Sequence, residues 1–186
     1  MEAPFSFSKR EGTAMKMALI IVDMLVDFVD KEGALYCGES ASRIIPKIKE
    51  LARKMRKLGA AIIYLADSHG PDDREFELFP PHCVKGTPGA QITDELRPKT
   101  SDYVVPKNRF SGFYNTNLDE ILKKERPDEV HIVGVCTSIC VMDTVSGLRD
   151  RDYKVVVHRD AVADFDSCAH QFALKRMEKV LGAQVI

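Results

Sequence analysis

Residues 129–150 read EVHIVGVCTSICVMDTVSGLRD, and the change of character midway through them sets the fold class. EVHIVGVC (129–136) is a Val/Ile-rich run without strict alternation, the pattern of a strand buried on both faces and hence of a parallel sheet. Residues 138–150 turn polar with helix-like spacing, and Ser138 suits a helix start. The same apolar signature recurs in MALIIVD (17–23), AAIIYLAD (60–67), DYVVP (102–106), YKVVVHRD (153–160) and the closing QVI. Helical patterns lie between these runs. SASRIIPKIKELARKMRKLG (40–59) carries Ile44, Ile45, Ile48, Leu51 and Met55 at helical spacing and ends in Gly59, a C-terminal stop. NLDEILKKER (117–126) is short and amphipathic, and residues 167–181 complete the set. Strand and helix alternate, which predicts an α/β fold with helices on both faces of the sheet.

The 186 residues, 45% hydrophobic and 30% charged, suit one globular, soluble domain with a full core. The formal net charge of -1, with both signs mixed along the chain, excludes a nucleic-acid footprint or a polybasic membrane patch. No apolar run approaches the ~20 residues of a membrane span. Residues 1–16 read as an N-terminal extension to a domain over 17–186, and MEAPFSFSKREGTA lacks the apolar segment of a signal peptide. Five cysteines, an odd number without dense spacing, point to a reducing cytoplasm rather than a secreted disulfide framework.

In open α/β sheets ligands bind beyond the carboxyl ends of the strands. Asp23 ends the first strand, Asp67 and His69 the second; Lys107 follows the third, and Cys136 and Cys140 the fourth. Four strands thus deliver reactive groups to one rim. Cys136, at an apolar strand end, reads as packing. Cys140 falls in the first turn of a helix, where free N–H groups and the dipole favour a thiolate and can hold an oxyanion. Asp23 could take its proton and Lys107 could stabilise the charges. Position alone leaves Cys140 open between nucleophile and buried thiol.

The long irregular stretch 67–91, DSHGPDDREFELFPPHCVKGTPGAQ, carries aromatics and paired prolines, which argues for order. Asp67-x-His69 opens it and His82 closes it, and alternate strand-end residues point to one side. A carboxylate with two imidazoles suits Zn, Fe or Mn, with Glu75 or Glu77 as a fourth ligand. The other reading is an acidic, solvated loop without an ion. His131, His158 and His170 read as structural or surface residues.

The motifs IIVDMLVDF, ADSH, EFELFPPHCVKGT, VPKNRFSGFYNTNLD and VGVCTSICVMDT, taken together, resemble the isochorismatase-like cysteine hydrolase superfamily, and within it the nicotinamidases. The resemblance implies a three-layer α/β/α fold on a six-stranded parallel sheet. It implies a catalytic triad of Cys140, Asp23 and Lys107, and an oxyanion hole from the backbone N–H groups of Cys136 and Cys140, with a cis peptide before Cys136. It further implies metal ligands at Asp67, His69 and His82 with Glu75 as an addition, Zn being the first expectation and Fe or Mn the others. Phe28 and Phe110 would flank the substrate ring, whose pyridine nitrogen the metal binds in that family. Many nicotinamidases have Thr-Asp where this chain has Thr137-Ser138.

The expected activity is therefore hydrolysis of nicotinamide to nicotinate and ammonia through a thioester, a reaction of NAD salvage, in a cytoplasmic homo-oligomer with no nucleic-acid or membrane partner. The alternatives are hydrolysis of another small amide, carbamoyl or ureido compound, a non-catalytic ligand-binding protein, and a thiol-redox role for Cys136 and Cys140.

Overall fold

Strand β1 (Met17–Val22) lies at the centre of the molecule, with Ala18 to Val22 fully buried. Its alternate residues feed two different cores, as the period-2 geometry of a strand requires. Ala18, Ile20 and Val22 enter one, and Leu19 and Ile21 the other. The computed structural model describes residues 15–186. Of the expected extension over 1–16 all but the last two residues lie outside the described residues. Lys16 is already tied to the sheet: its N–H donates to Asp128 Oδ2 at 2.8 Å and its carbonyl accepts from Asp128 N at 2.8 Å.

Around β1 stand β2 (Ala61–Asp67), β3 (Tyr103–Lys107), β4 (Glu129–Val135), β5 (Val155–Ala163) and β6 (Gln184–Val185). All ladders are parallel and the order is β3-β2-β1-β4-β5-β6. The expected six-stranded parallel sheet is therefore present. Helices α1 (Val26–Val29) and α2 (Glu39–Lys57) cover one face, burying Phe28, Val29, Ile44, Ile48 and Met55. Helices α3 (Leu118–Glu125), α4 (Met142–Arg149) and α5 (Ser167–Lys179) cover the other through Leu118, Leu122, Val145, Leu148 and Leu174. This is the three-layer α/β/α arrangement.

Helix α2 forms where the apolar spacing predicts it, and Gly59 ends it at φ 76°, the left-handed turn that glycine allows without strain. The helix expected over 138–150 begins differently. Thr137–Val141 is a π-helical turn, in which Val141 N–H reaches back to the Cys136 carbonyl at 3.2 Å, and regular α4 starts only at Met142. The buried Asp164 carboxylate, just past β5, accepts the Ser138 N–H at 2.7 Å and holds that turn. Strand β5 also runs on to Ala163, three residues past the expected end.

The first three strands step outward from β1 in one direction. The chain then crosses back to lay β4 on the opposite flank of β1. The reversal places a topological switch point between the carboxyl ends of β1 and β4, where a crevice forms. At this seam Gly134 of β4 has φ 114°, and a Cβ there would stand 2.1 Å from the Val22 carbonyl oxygen. Replacing Gly134 with Ala should therefore destabilise the protein by at least about 2 kcal/mol in urea unfolding. Gly59→Ala, at φ 76° but with nothing within 4 Å of the added carbon, should cost only about 1 kcal/mol.

Candidate active site

Lys107, the last residue of β3, pairs in register with Asp67, the last of β2. Its Nζ lies 2.5 Å from Asp67 Oδ1, 2.7 Å from Asp23 Oδ2 and 3.4 Å from Cys140 Sγ. Asp23 follows β1 at φ 50°, its N–H bonded to the Leu65 carbonyl at 2.9 Å, while its Oδ1 accepts from Asp67 N at 3.0 Å. All four groups are buried. One cation thus serves two carboxylates and a thiol in a site shut off from water, where the energy of each charge depends on the others.

Burial, with the neighbouring charge of Asp67, raises the Asp23 carboxyl to about 7 despite Lys107. Burial acts on Asp67 too, but Lys107 and His69 outweigh it and hold Asp67 below the ordinary carboxylate range. The Lys107 ammonium is held well above its ordinary value: burial opposes its charge, and Asp23 and Asp67 override burial. Burial and the two carboxylates push the Cys140 thiol well up, beyond what Lys107 offsets. Cys140 sits inside a π-turn facing two acids, which oppose ionisation of its thiol.

The segment from 68 to 91 is ordered, as its aromatics and prolines suggest. His69 forms a parallel bridge with Val84, its N–H bonded to the Cys83 carbonyl at 3.0 Å and its own carbonyl accepting from Lys85 N at 2.9 Å. The bridge brings the His69 and His82 rings to 4.8 Å between centroids. Ligand atoms of Asp67, His69, Glu75 and His82 all lie within 4.8 Å of one another, and all four residues are buried. Glu75 is carried there by a 3-10 turn (Arg74–Glu77), whereas Glu77 is exposed.

The imidazoles are oriented from behind. His82 Nδ1 donates to the Pro80 carbonyl at 2.8 Å, and His69 Nδ1 donates to Asp73 Oδ2 at 3.1 Å. In the neutral rings both Nε2 atoms present lone pairs to the cluster. Burial opposes charge on His69, but the carboxylates of Asp67, Asp73 and Glu75 outweigh it and raise the His69 pKa. His69 Nε2 and Glu75 Oε2 are buried with no hydrogen-bond partner, a deficit that a bound cation would relieve. Two imidazoles and two carboxylates with supported outer nitrogens fit a divalent cation such as zinc, iron or manganese.

Phe28, Phe79, Phe110, Leu35, Ile139 and Phe165 wall the pocket in front of Cys140, Asp23, Glu75 and His82. The Phe28 ring stands 5.4 Å from the His82 ring, and Phe79 stands 6.5 Å edge-on to Phe110. Cys136 also lines the pocket, and the Val135–Cys136 peptide is cis. Its sulfur faces Cys37 Sγ at 3.2 Å rather than Cys140, and both are free, buried thiols. His131 and His158 stack on one another, 2.8 Å between Nδ1 and Nε2. His170 Nδ1 lies 2.9 Å from Thr137 Oγ1, linking α5 to the π-turn.

Of the residues singled out from sequence, Asp23, Phe28, Asp67, Glu75, His82, Phe110, Cys136 and Cys140 line one crevice, Lys107 and His69 are buried beside them, and Glu77 lies outside it. Sequence reasoning missed Phe79, Leu35, Ile139, Phe165, Asp73, Arg109 and Cys37. Phe79 had a signal, being the aromatic three residues before His82 inside FPPH. Asp73 and Arg109 had none, because their pairing spans 36 residues.

The Isochorismatase domain family matches residues 17–186. Among solved structures, the nicotinamidase/pyrazinamidase PncA of Bacillus subtilis is 35% identical with a TM-score of 0.87, covering 92% of this chain and 99% of its own. Pyrazinamidase of Pyrococcus horikoshii in complex with zinc is 32% identical (TM-score 0.86; 91% and 98% covered). N-carbamoylsarcosine amidase of Thermoplasma acidophilum is 36% identical (TM-score 0.83; 92% and 95% covered).

The buried ion cluster sets a test independent of any activity. Lys107→Met keeps the apolar stem but leaves Asp23 and Asp67 without their shared counter-charge. Chemical unfolding at neutral pH should show a loss of about 3–5 kcal/mol, against a small change for Cys140→Ala. Equal, small losses for the two variants would mean that Lys107 does not neutralise the cluster.

Proposed function

The chain belongs to the isochorismatase family, and we propose that it hydrolyses nicotinamide to nicotinate and ammonia. One observation carries the reading: a thiol beside an acid raised to about 7, and three of the four residues of a candidate metal set, line the same aromatic-walled pocket.

In this mechanism the ring of nicotinamide lies between Phe28 and Phe110, with Phe79 closing the wall on the metal side. When bound, a divalent cation held by Asp67, His69, Glu75 and His82 supplies an electrophilic anchor for the ring nitrogen. Asp23, with a carboxyl near 7, accepts the proton of Cys140 Sγ as the sulfur attacks the carboxamide carbon. A base in that range combines a usable ionised fraction with a usable affinity for the proton. The raised thiol of Cys140 makes this transfer part of the attack rather than a prior ionisation. The oxyanion is held by the backbone N–H groups of Cys136 and Cys140. Asp23 hands the proton to the departing nitrogen, the C–N bond breaks, and ammonia leaves a thioester on Cys140. Asp23 then takes a proton from water, which attacks the acyl carbon. Nicotinate departs and the sulfur recovers its proton. Lys107 remains charged throughout and limits the build-up of negative charge.

The similarity to N-carbamoylsarcosine amidase keeps a carbamoyl substrate as a second reading. Such a compound carries a carboxylate, which needs a cationic partner when desolvated. Among the described residues no arginine lines the pocket, and its adjacent lysine, Lys107, already serves two carboxylates. The lining therefore favours a neutral aromatic amide.

Ammonia release from nicotinamide and from N-carbamoylsarcosine, before and after chelation, tests this. Nicotinamide should be the substrate that turns over, and chelation followed by zinc should remove and restore most of the rate. Cys140→Ala should lower the rate by at least about 10³-fold with the fold intact. Retained turnover in that variant would exclude the covalent route, and preference for the carbamoyl compound would overturn the substrate assignment.

A further inference from the structure

We infer that Asp73 is a positioning residue that aligns two of the four candidate metal ligands at once and is itself clamped by Arg109. The inference rests on the metal site proposed above and adds residues outside the ligand set. Asp73 Oδ2 accepts from His69 Nδ1 at 3.1 Å, and Asp73 Oδ1 accepts from the N–H of Glu75 at 3.0 Å. Arg109 Nη1 donates to both oxygens, at 2.9 and 3.1 Å. The Asp73 side chain is only 5% exposed, although the Arg109 side chain that clamps it is 37% exposed.

Each contact has a consequence for the ligand set. An ionised carboxylate only accepts, so a His69 proton is kept on Nδ1 and Nε2 is turned to the cluster, where it has no hydrogen-bond partner and lies 3.7 Å from Asp67 Oδ2. The bond to Glu75 N starts the 3-10 turn that lifts the Glu75 carboxylate into the same cluster. Arg109 precedes Phe110 in the chain, so the clamp also couples the aromatic wall of the pocket to the ligand loop.

Asn at position 73 cannot reproduce this pattern. All three neighbours donate, toward both oxygens, and an amide offers one acceptor and one donor. With its oxygen on Glu75 and Arg109, its NH2 faces His69 Nδ1 and favours the opposite tautomer, with a proton on Nε2. Turned round, its NH2 opposes two donors.

Zinc affinity measured by competition with a chromophoric chelator, together with the visible spectrum of the cobalt(II) form, tests the inference in the full chain. Asp73→Asn should bind zinc about 10–100-fold more weakly than wild type and give an altered cobalt spectrum. Arg109→Gln, which leaves the carboxylate in place but unclamped, should bind zinc several-fold more weakly. Wild type that binds and Asp73→Asn that binds equally well would overturn the inference and leave the metal reading standing. Wild type that binds no zinc would overturn the metal reading and the inference with it. If Asp73→Asn does not fold, unchanged affinity in Arg109→Gln overturns the inference.

Discussion

A lysine ammonium buried among two carboxylates and a thiol is the constraint on which the site depends. Lys107 could not be held charged in the interior without Asp23 and Asp67, and those acids could not share the interior without Lys107. Burial, with the neighbouring charge of Asp67, outweighs Lys107 at Asp23, whose carboxyl is raised to about 7. Burial beside a shared ammonium thus leaves an acid that titrates near neutrality. Burial, with the two carboxylates, also pushes the Cys140 thiol up.

The fold supplies that cluster by topology. Asp23, Asp67 and Lys107 come from the carboxyl ends of three adjacent strands in register, and Cys140 comes from the turn after the fourth, across the switch point. Both cores bear on the rim. The α2 side supports Phe28 and Cys136, and the opposite side supports Cys140 and Val141. The ligand loop adds a second platform, braced by the His69–Val84 bridge and the Asp73–Arg109 pair.

Much of this was legible in the chain itself. Strands such as MALIIVD announce themselves because burial on both faces leaves no alternation, and a polar residue ending such a run can only lie on a rim. His69 and His82 were legible because they close a loop rich in groups that favour order. What escaped was contact between residues distant in sequence. Cys37 faces Cys136 across 99 residues, and neither position carries a local signal of the other. The π-turn escaped because its cause, the Asp164 carboxylate on Ser138, lies 26 residues downstream. The charges that surround the Cys140 sulfur escaped for a related reason. A helix start can be read from spacing, but the charges around a sulfur follow from which strands are neighbours.

The account turns on Cys140 carrying the acyl group between the loss of ammonia and the arrival of water. Partition of that group to hydroxylamine during turnover of nicotinamide tests this directly, whether or not the thioester accumulates. The account predicts nicotinohydroxamate at the expense of nicotinate as hydroxylamine rises, and loss of both products in Cys140→Ala. Steady turnover that yields nicotinate alone at every hydroxylamine concentration would mean that water attacks the amide directly, and would contradict it.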